Sequence, residues 1–260
     1  MVMATSIAAA VAPHLAGADA NLMLAALSPE GRECLLAQAL ALEVAPGDVL
    51  YDAGGPASWV FFPLSCVVSI MTVLADGSAV ETVTIGREGM VGTFQALGDD
   101  RNPNGRAVVQ MGGRLLRVDA AALREQVQRD VPLADAIEAY VRALLVHISQ
   151  SVACAAAHSV RQRLARWLLH TSDRVSSDDV ELTQEFLAHI LHVRRASVTM
   201  ALGKLQDLDL VSTRRGGTTV LDRQGLAGQA CECYARVNEE YARLIPGETS
   251  TRAGVAPMTT

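Results

Sequence analysis

The residues of this chain best suited to bind another molecule are two adjacent arginines, Arg194 and Arg195, at the start of a predicted helix. Apolar residues follow at positions i, i+3, i+4 and i+7, which is the spacing of one buried helix face. These residues are Val198, Ala201, Leu202 and Leu205. The opposite face carries Arg194, Arg195, Ala196, Ser197 and Thr199. Guanidinium and hydroxyl groups on such a face can bind phosphates and base edges of nucleic acid.

A shorter helix is predicted immediately upstream. Thr183 is a good N-cap residue, and Leu187, Ile190 and Leu191 recur at helical spacing before a break at His192–Val193. Two helices joined by a tight turn form a helix-turn-helix, in which the start of the second helix enters the major groove of DNA.

The alternative is an ordinary helical hairpin, and the next residues argue against it. Residues 211–221 are β-prone on both sides of Gly216-Gly217, which predicts a β-hairpin. A helix-turn-helix followed by a hairpin is the pattern of a winged helix. We therefore predict DNA binding by Thr183, by the start of the second helix, and by Arg214 and Arg215 of the wing.

The distribution of charge agrees with this prediction, although the whole chain carries a formal net charge of −6. Residues 1–157 hold 9 basic and 16 acidic side chains, a net charge of −7, and residues 226–260 hold 3 and 4, a net charge of −1. Residues 158–225 hold 10 basic and 8 acidic side chains, a net charge of +2. The predicted helix-turn-helix lies in the only positive segment, so its phosphate contacts must be specifically placed.

The composition is that of a globular chain with room for about two domains. No apolar run is long enough to span a membrane, and residues 1–20, unlike a secretory signal, contain no basic residue. We predict that residues 1–20 form a flexible tail. The five cysteines are scattered and odd in number, which indicates no disulfide framework and favours a reducing cytoplasm.

The segment after the tail is predicted to be first helical and then β-rich. Residues 20–41 are predicted to be helical, with a helix start at Ser28-Pro29-Glu30. From Glu43 onward, short apolar runs alternate with turns, a spacing typical of a small barrel or jelly roll. The predicted strands are Val49–Tyr51, Trp59–Phe62, Val67–Leu74, Ala79–Ile85, Ala107–Met111 and Leu115–Val118.

Residues 131–157 predict one long helix with an apolar seam that repeats every four and three residues. The seam consists of Ile137, Val141, Leu144, Ile148 and Ser151. Such a seam packs either on the barrel of its own chain or on the same helix of a second copy. We predict a homodimer, because a two-fold dimer would present two reading heads to DNA. Residues 158–173 predict a further helix that supports the helix-turn-helix.

A leader helix, a β-roll, a long dimer helix and a winged helix, in this order, resemble the Crp-Fnr family of bacterial transcription regulators over about residues 22–221. The motifs that carry the resemblance are Pro46-Gly47-Asp48-Val49-Leu50-Tyr51, Gly86-Arg87-Glu88-Gly89-Met90-Val91-Gly92, Leu182-Thr183-Gln184-Glu185 and Arg194-Arg195-Ala196-Ser197-Val198. The resemblance implies an α+β fold, with an N-terminal cyclic-nucleotide-binding-like β-roll (jelly roll), a dimerisation helix and a C-terminal winged helix-turn-helix.

The resemblance also implies signal-controlled binding to palindromic promoters. The implied partners are double-stranded DNA, a second copy of the chain and RNA polymerase. The predicted domains are a sensor domain at 21–133, a dimerisation helix at 134–157, a DNA-binding domain at 158–225 and a C-terminal extension at 226–260.

The recognition segment departs from the family at two positions. His192 stands where the family often has glycine, at a position that favours a positive φ and therefore costs histidine steric energy. Well-known members carry Arg-Glu where this chain has Arg195-Ala196. The resemblance implies that Arg195 binds guanine O6 and N7, whereas Ala196 cannot accept a hydrogen bond from cytosine N4, so the DNA half-site should differ.

The sensor pocket departs further from the family. In nucleotide-binding relatives a Glu after the Gly of the turn holds the ribose hydroxyl, and an Arg-Ser pair holds the cyclic phosphate. Here Thr93 follows Gly92, and Arg106 lies one position out of register. The candidate effector pocket comprises Gly89, Gly92, Thr93 and Arg106, and we predict weak or no binding of cyclic AMP. The alternatives are a rebuilt pocket for cyclic AMP or cyclic di-GMP, and a ligand-sensing scaffold that does not bind DNA.

Metal binding and catalysis are the remaining functions to weigh. His147, Ser151, Cys154 and His158 form one helical stripe, and Cys154 with His158, doubled across a two-fold axis, would give four metal ligands. Helical spacing also produces such stripes by chance. The cysteines of Cys231-Glu232-Cys233 are too closely spaced for a usual zinc half-site, and we predict that they lie on a helix surface. We therefore predict no metal and no cofactor.

The sequence has no P-loop, G-x-S-x-G or H-E-x-x-H motif, and we predict no catalytic residues and no enzyme.

Overall fold

The computed structural model describes residues 18–55, 58–98, 105–175 and 177–244, which form two compact units. The first unit contains the residues up to Ile70 together with Thr84–Val141, and the second contains Met71–Val83 together with the residues from Arg142 onward. The predicted tail lies almost entirely outside the described residues, which begin with a turn of 3-10 helix at Ala18–Ala20. Within the described ranges, every helix is too short or too polar to cross a bilayer.

The first unit is built on antiparallel strands, which confirms the predicted β-roll. The strands are β1 (Leu40–Val44), β2 (Val49–Tyr51), β3 (Trp59–Pro63), β4 (Val67–Val73), β5 (Ala79–Ile85), β6 (Gly105–Met111) and β7 (Gly113–Asp119). They form two sheets of order β1-β7-β3 and β2-β6-β4-β5. A buried cluster that includes Phe61 and Leu115 of one sheet and Val68, Ile85 and Ala107 of the other joins the two sheets. The tip of the β4–β5 hairpin belongs to the second unit.

Short helices flank the strands of the first unit. They are α1 (Leu22–Ala25), α2 (Pro29–Leu36), α3 (Thr93–Ala96) and α4 (Ala120–Val127). The predicted helix start at Ser28-Pro29-Glu30 is confirmed, whereas the prediction that residues up to 41 are helical is wrong. The chain breaks between α1 and α2, where Ser28 caps α2 as its Oγ accepts from the Gly31 N–H. Leu40 begins β1 instead of ending a helix, because β1 pairs with the distant strand β7.

The predicted long helix is confirmed as α5 (Val131–Ala157). Asp130 fixes its start, since Oδ1 accepts from the Leu133 N–H while Oδ2 accepts from the Ser28 hydroxyl. Ile137, predicted at the dimer interface, is instead buried within its own chain at 5% exposure. The other seam residues, Val141, Leu144, Ile148 and Ser151, are half-buried. Beside this seam, the apolar side chains of Leu145, Val146 and Val152 are exposed.

The second unit contains the predicted winged helix and two helices that follow it. Its elements after α5 are α6 (Val160–Val175), β8 (Asp179–Val180), α7 (Gln184–Ile190), α8 (Arg195–Gln206), β9 (Val211–Arg214), β10 (Gly217–Val220), α9 (Arg223–Gln229) and α10 (Cys233–Leu244). The wing is a three-stranded sheet of order β8-β10-β9, whose strand β8 the sequence did not predict. Residues of the predicted C-terminal extension form α10, where the Tyr234 hydroxyl donates to Asp173 Oδ2 of α6 over 2.8 Å.

Candidate nucleic-acid interface

The start of α8 is held outward by a buried stripe on its opposite face. Val198, Ala201, Leu202 and Leu205 are all buried, as the helical spacing predicted. Arg194 occupies the N-cap position without a side-chain capping bond, and its carbonyl accepts from the Ser197 N–H over 2.8 Å. Arg194, Arg195, Ala196 and Thr199 are exposed, and Ser197 is half-buried. This end of α8 therefore presents two guanidinium groups and a positive helix dipole, which together favour a polyanion.

The turn between α7 and α8 has the backbone conformation expected at a glycine-like position. His192 has a φ of +51°, in the left-handed region that a β-carbon disfavours. The Val193 N–H donates to Ala188 O, and the His192 N–H donates to His189 O, both at about the usual hydrogen-bond length. The Arg163 Nη2 donates to Leu191 O over 2.6 Å and ties the turn to α6. These hydrogen bonds hold His192 in a strained conformation that sets the angle between the two helices.

Carboxylates lie beside the arginines of this surface. Arg195 Nη1 lies 3.7 Å from Glu185 Oε2, and both side chains are exposed. Arg214 Nη2 lies 3.7 Å from Asp179 Oδ1 and 3.5 Å from Glu181 Oε1. Exposed pairs of this kind contribute little to stability. These ion pairs keep the two arginine side chains near the groove, and the carboxylates neutralise part of their positive charge.

The wing places its two arginines at the turn of the hairpin. Arg214 pairs with Gly217 across β9 and β10, and Gly216 between them has a φ of +83°. Arg215 is exposed at the tip. One groove is lined by the start of α7 (Thr183 and Glu185), by Arg195 of α8, and by Arg214 and Arg215 of the wing. The structure thus brings four of the predicted DNA-binding residues, Thr183, Arg195, Arg214 and Arg215, around one groove, whereas Arg194, Ala196, Ser197 and Thr199 do not line it.

Sequence reasoning missed two residues of this surface. Met200 is 64% exposed, and its position four residues after Ala196 places it on the same face of α8. Gln184 Oε1 accepts from the Thr199 hydroxyl over 2.7 Å and links the start of α7 to α8. The i+4 spacing from Ala196 could have identified Met200, whereas the Gln184–Thr199 contact depends on the packing of the two helices.

The candidate effector turn lies in the first unit, between β5 and α3. Gly92 has a φ of +103°, and a β-carbon there would lie 2.9 Å from Trp59 O, so only glycine fits. A β-carbon on Gly89 would overlap the ring of Tyr140. Tyr140 is fully buried, its hydroxyl donates to Met90 O over 2.9 Å, and burial raises the pKa of this hydroxyl. The ring of Tyr140 therefore packs directly on the turn.

Arg106, the candidate phosphate ligand, already has a partner. Its Nε and Nη2 donate to Oδ1 and Oδ2 of Asp52 over 2.8 and 3.0 Å, a bidentate ion pair. The hydrogen bond from Arg106 lowers the pKa of Asp52, which keeps the carboxylate charged. An incoming phosphate would have to compete with Asp52 for Arg106. Thr93 is half-buried and is polar but uncharged.

Family models match two parts of the chain. Residues 41–130 match the cyclic nucleotide-binding domain, and residues 162–228 match the Crp-like helix-turn-helix domain. Together the two matches cover more than half of the 260 residues. Among curated proteins, none matches the chain.

Three solved structures share the fold of this chain. FixK2 from Bradyrhizobium japonicum is 17% identical with a TM-score of 0.63, and the match covers 74% of this chain and 98% of FixK2. The c-di-GMP responsive global regulator CLP from Xanthomonas campestris is 18% identical with a TM-score of 0.61, covering 75% of this chain and 100% of CLP. TTHB099, a transcriptional regulator of the CRP family from Thermus thermophilus, is 20% identical with a TM-score of 0.59, covering 74% and 99%.

Proposed function

The chain belongs to the Crp-Fnr family of DNA-binding transcription regulators, and we propose that it acts as a homodimer that binds palindromic promoter sites without requiring cyclic AMP. The observation that carries the proposal is the single groove shared by α7, α8 and the wing. Arg195 reads a guanine from the start of α8, and Arg214 and Arg215 bind phosphates. Once on DNA, the dimer acts on transcription through contact with RNA polymerase in the cytosol.

Dimerisation is supported by the apolar side chains that α5 leaves exposed. Leu145 and Val152 are 60% and 66% exposed. They lie next to the half-buried seam residues Leu144 and Ile148 on the same helix. A second copy of α5 would cover this surface, and a two-fold axis would set two α8 helices against successive half-sites.

Independence from cyclic AMP is supported by the partners of the effector residues. Arg106 is bound through two hydrogen bonds by Asp52, and Thr93 cannot supply the paired acceptors of a carboxylate. Thr93 in place of a carboxylate removes one charged hydrogen bond to the ribose hydroxyl, a loss of about 1.5–3 kcal/mol, or about tenfold to a hundredfold in affinity. The nucleotide is therefore bound too weakly to control the regulator.

The test of DNA binding is capture of genomic fragments by the full chain at stated salt, followed by gel shift. We expect a small set of fragments that share an inverted repeat. The double variant Arg194→Ala/Arg195→Ala should lose them, whereas Arg129→Ala, which removes an exposed arginine of the first unit, should not. Equal retention of all fragments by the double variant would contradict the proposed reading head.

A further inference from the structure

Four potential metal ligands meet in the second unit, outside the DNA-binding groove. Cys154 lies near the end of α5, His158 in the turn between α5 and α6, and Cys231 and Cys233 at the connection from α9 to α10. One ligand atom from each residue lies within 4.8 Å of all the others. The three cysteines are buried and form a cluster. The sequence-based expectation that Cys231 and Cys233 lie on a helix surface is therefore wrong.

The distances within this cluster are close to those of a mononuclear tetrahedral site. Cys154 Sγ lies 3.5 Å from Cys231 Sγ, and Cys233 Sγ lies 3.5 Å from His158 Nδ1. Ligands at the usual Zn–S and Zn–N bond lengths stand about 3.8 Å apart for two sulfurs and about 3.5 Å for a sulfur and a nitrogen. A single ion would fit with small side-chain adjustments, whereas several irons and their bridging sulfides would need more widely spaced ligands.

The surroundings of the cluster orient its ligands. His158 Nε2 lies 3.2 Å from Glu232 Oε2, so the imidazole can donate to this carboxylate while Nδ1 faces the sulfurs. A carboxylate on the outer nitrogen is the usual support for a metal-binding histidine. Gln150 Nε2 donates to Cys233 Sγ over 3.1 Å, a bond that favours a thiolate. The positive charges of Arg163 and Arg166 act on Cys154, and that of Arg163 acts also on Cys231.

We propose that Cys154, His158, Cys231 and Cys233 bind one Zn²⁺ ion per chain. Three thiols release their protons to solvent as three Zn–S bonds form, and neutral His158 supplies the lone pair of Nδ1. Three thiolates and one Zn²⁺ leave a net charge of −1, which the two nearby guanidinium groups offset. Zinc suits this donor set because it prefers four thiolate and imidazole ligands in tetrahedral geometry.

The proposed site would tie two distant parts of the chain together. Cys154 and Cys231 are 77 residues apart in sequence. Zinc would hold the start of α10 against the end of α5 and the turn that leads into the winged helix. This role goes beyond DNA binding, and a disulfide between Cys154 and Cys231 is the competing explanation of their proximity. A disulfide would leave the Glu232-oriented His158 without a function.

The first test is the metal content of the full chain purified under reducing conditions. We expect about one zinc per chain in the wild type and less than about a tenth of that in Cys154→Ser and Cys233→Ser. Cys34→Ser, which changes the exposed cysteine of α2, and Cys66→Ser, which changes a buried cysteine of the first unit, should keep the metal. Cobalt added to the metal-free chain should give the visible absorption bands of tetrahedral thiolate coordination.

A second measurement uses only the wild-type chain and so does not depend on how the variants fold. Thiol labelling of the native zinc-loaded chain should modify Cys34 rapidly, and removal of zinc by a chelator should expose three further cysteines to the reagent. Chelation should also lower the midpoint of thermal unfolding, and added zinc should restore it. The proposal would be overturned if the chain were purified without metal and gave no cobalt bands. A Cys154–Cys231 disulfide in a peptide map of the native chain would also overturn it.

Discussion

Arg195 is the residue that we propose reads a base in this regulator. Its ion pair with Glu185 is exposed, so it is readily exchanged for contacts with guanine. We expect Arg195→Ala to weaken binding to the preferred site by about 1–3 kcal/mol and to relax the preference at one base pair of each half-site. Titration of labelled duplexes that differ by one base pair measures both effects. An unchanged base preference in Arg195→Ala would show that another residue makes the guanine contact.

The wing arginines should affect affinity without changing sequence preference. We expect Arg215→Ala to weaken all sequences alike and to reduce the slope of log affinity against log salt by about one unit. Arg214→Ala should have a smaller effect, because Asp179 and Glu181 already neutralise part of its charge. Binding isotherms from low to high salt, on specific and random DNA, test this order. A change of consensus in either variant would argue that the wing reads bases.

His192 should be a position where glycine stabilises the protein. Glycine relieves the strain of the positive φ but gives the unfolded chain more freedom, and we expect a net gain of about 0.5–1 kcal/mol in the free energy of unfolding for His192→Gly. The matched variant His189→Gly, inside α7, should instead lose about 0.5 kcal/mol. Urea unfolding of the two variants gives the comparison. Equal losses would show that the side chain of His192 makes contacts that outweigh its strain.

Helix α5 is the element through which we propose that the chain dimerises. The double variant Leu145→Glu/Val152→Glu should be monomeric in sedimentation, because it places charge on the exposed apolar face. It should remain folded, since neither side chain is buried in the single chain, and it should bind DNA much more weakly. Val131→Glu, on an equally exposed residue at the start of α5, is the control and should remain dimeric. A dimeric double variant would place the interface elsewhere.

The elements that the sequence predicted well are those with local signals. The stripe from Val198 to Leu205, the Thr183 cap and the Gly216-Gly217 turn each act within a few residues, and all three are present. Strand β1 was missed because its leucines and alanines also suit a helix, and only pairing with β7 makes them a strand. The cysteine cluster was missed for the same reason, since packing of α10 brings its parts together.

At the scale of the whole molecule, the question is what controls the regulator. We expect calorimetry with cyclic AMP and cyclic GMP to give no saturable binding at micromolar concentration, and DNA affinity to be unchanged by either nucleotide. Cyclic di-GMP is the third ligand to test, because CLP, whose fold this chain shares, is described as responsive to it. Micromolar binding of cyclic AMP that raises DNA affinity would show that Arg106 leaves Asp52 and that the pocket is intact.

The acidic residues beside Arg195 and Arg214 also bear on how the protein searches a chromosome. In the proposed complex, DNA must displace Glu185 from Arg195, and Asp179 and Glu181 from Arg214. We expect these carboxylates to shorten each stay on random DNA, where a few phosphate contacts supply all of the attraction. At the correct site, base contacts add to the phosphate contacts, and we expect the complex to last longer despite the competing carboxylates. A chain with a net charge of −6 can thus scan many sites quickly and dwell at few.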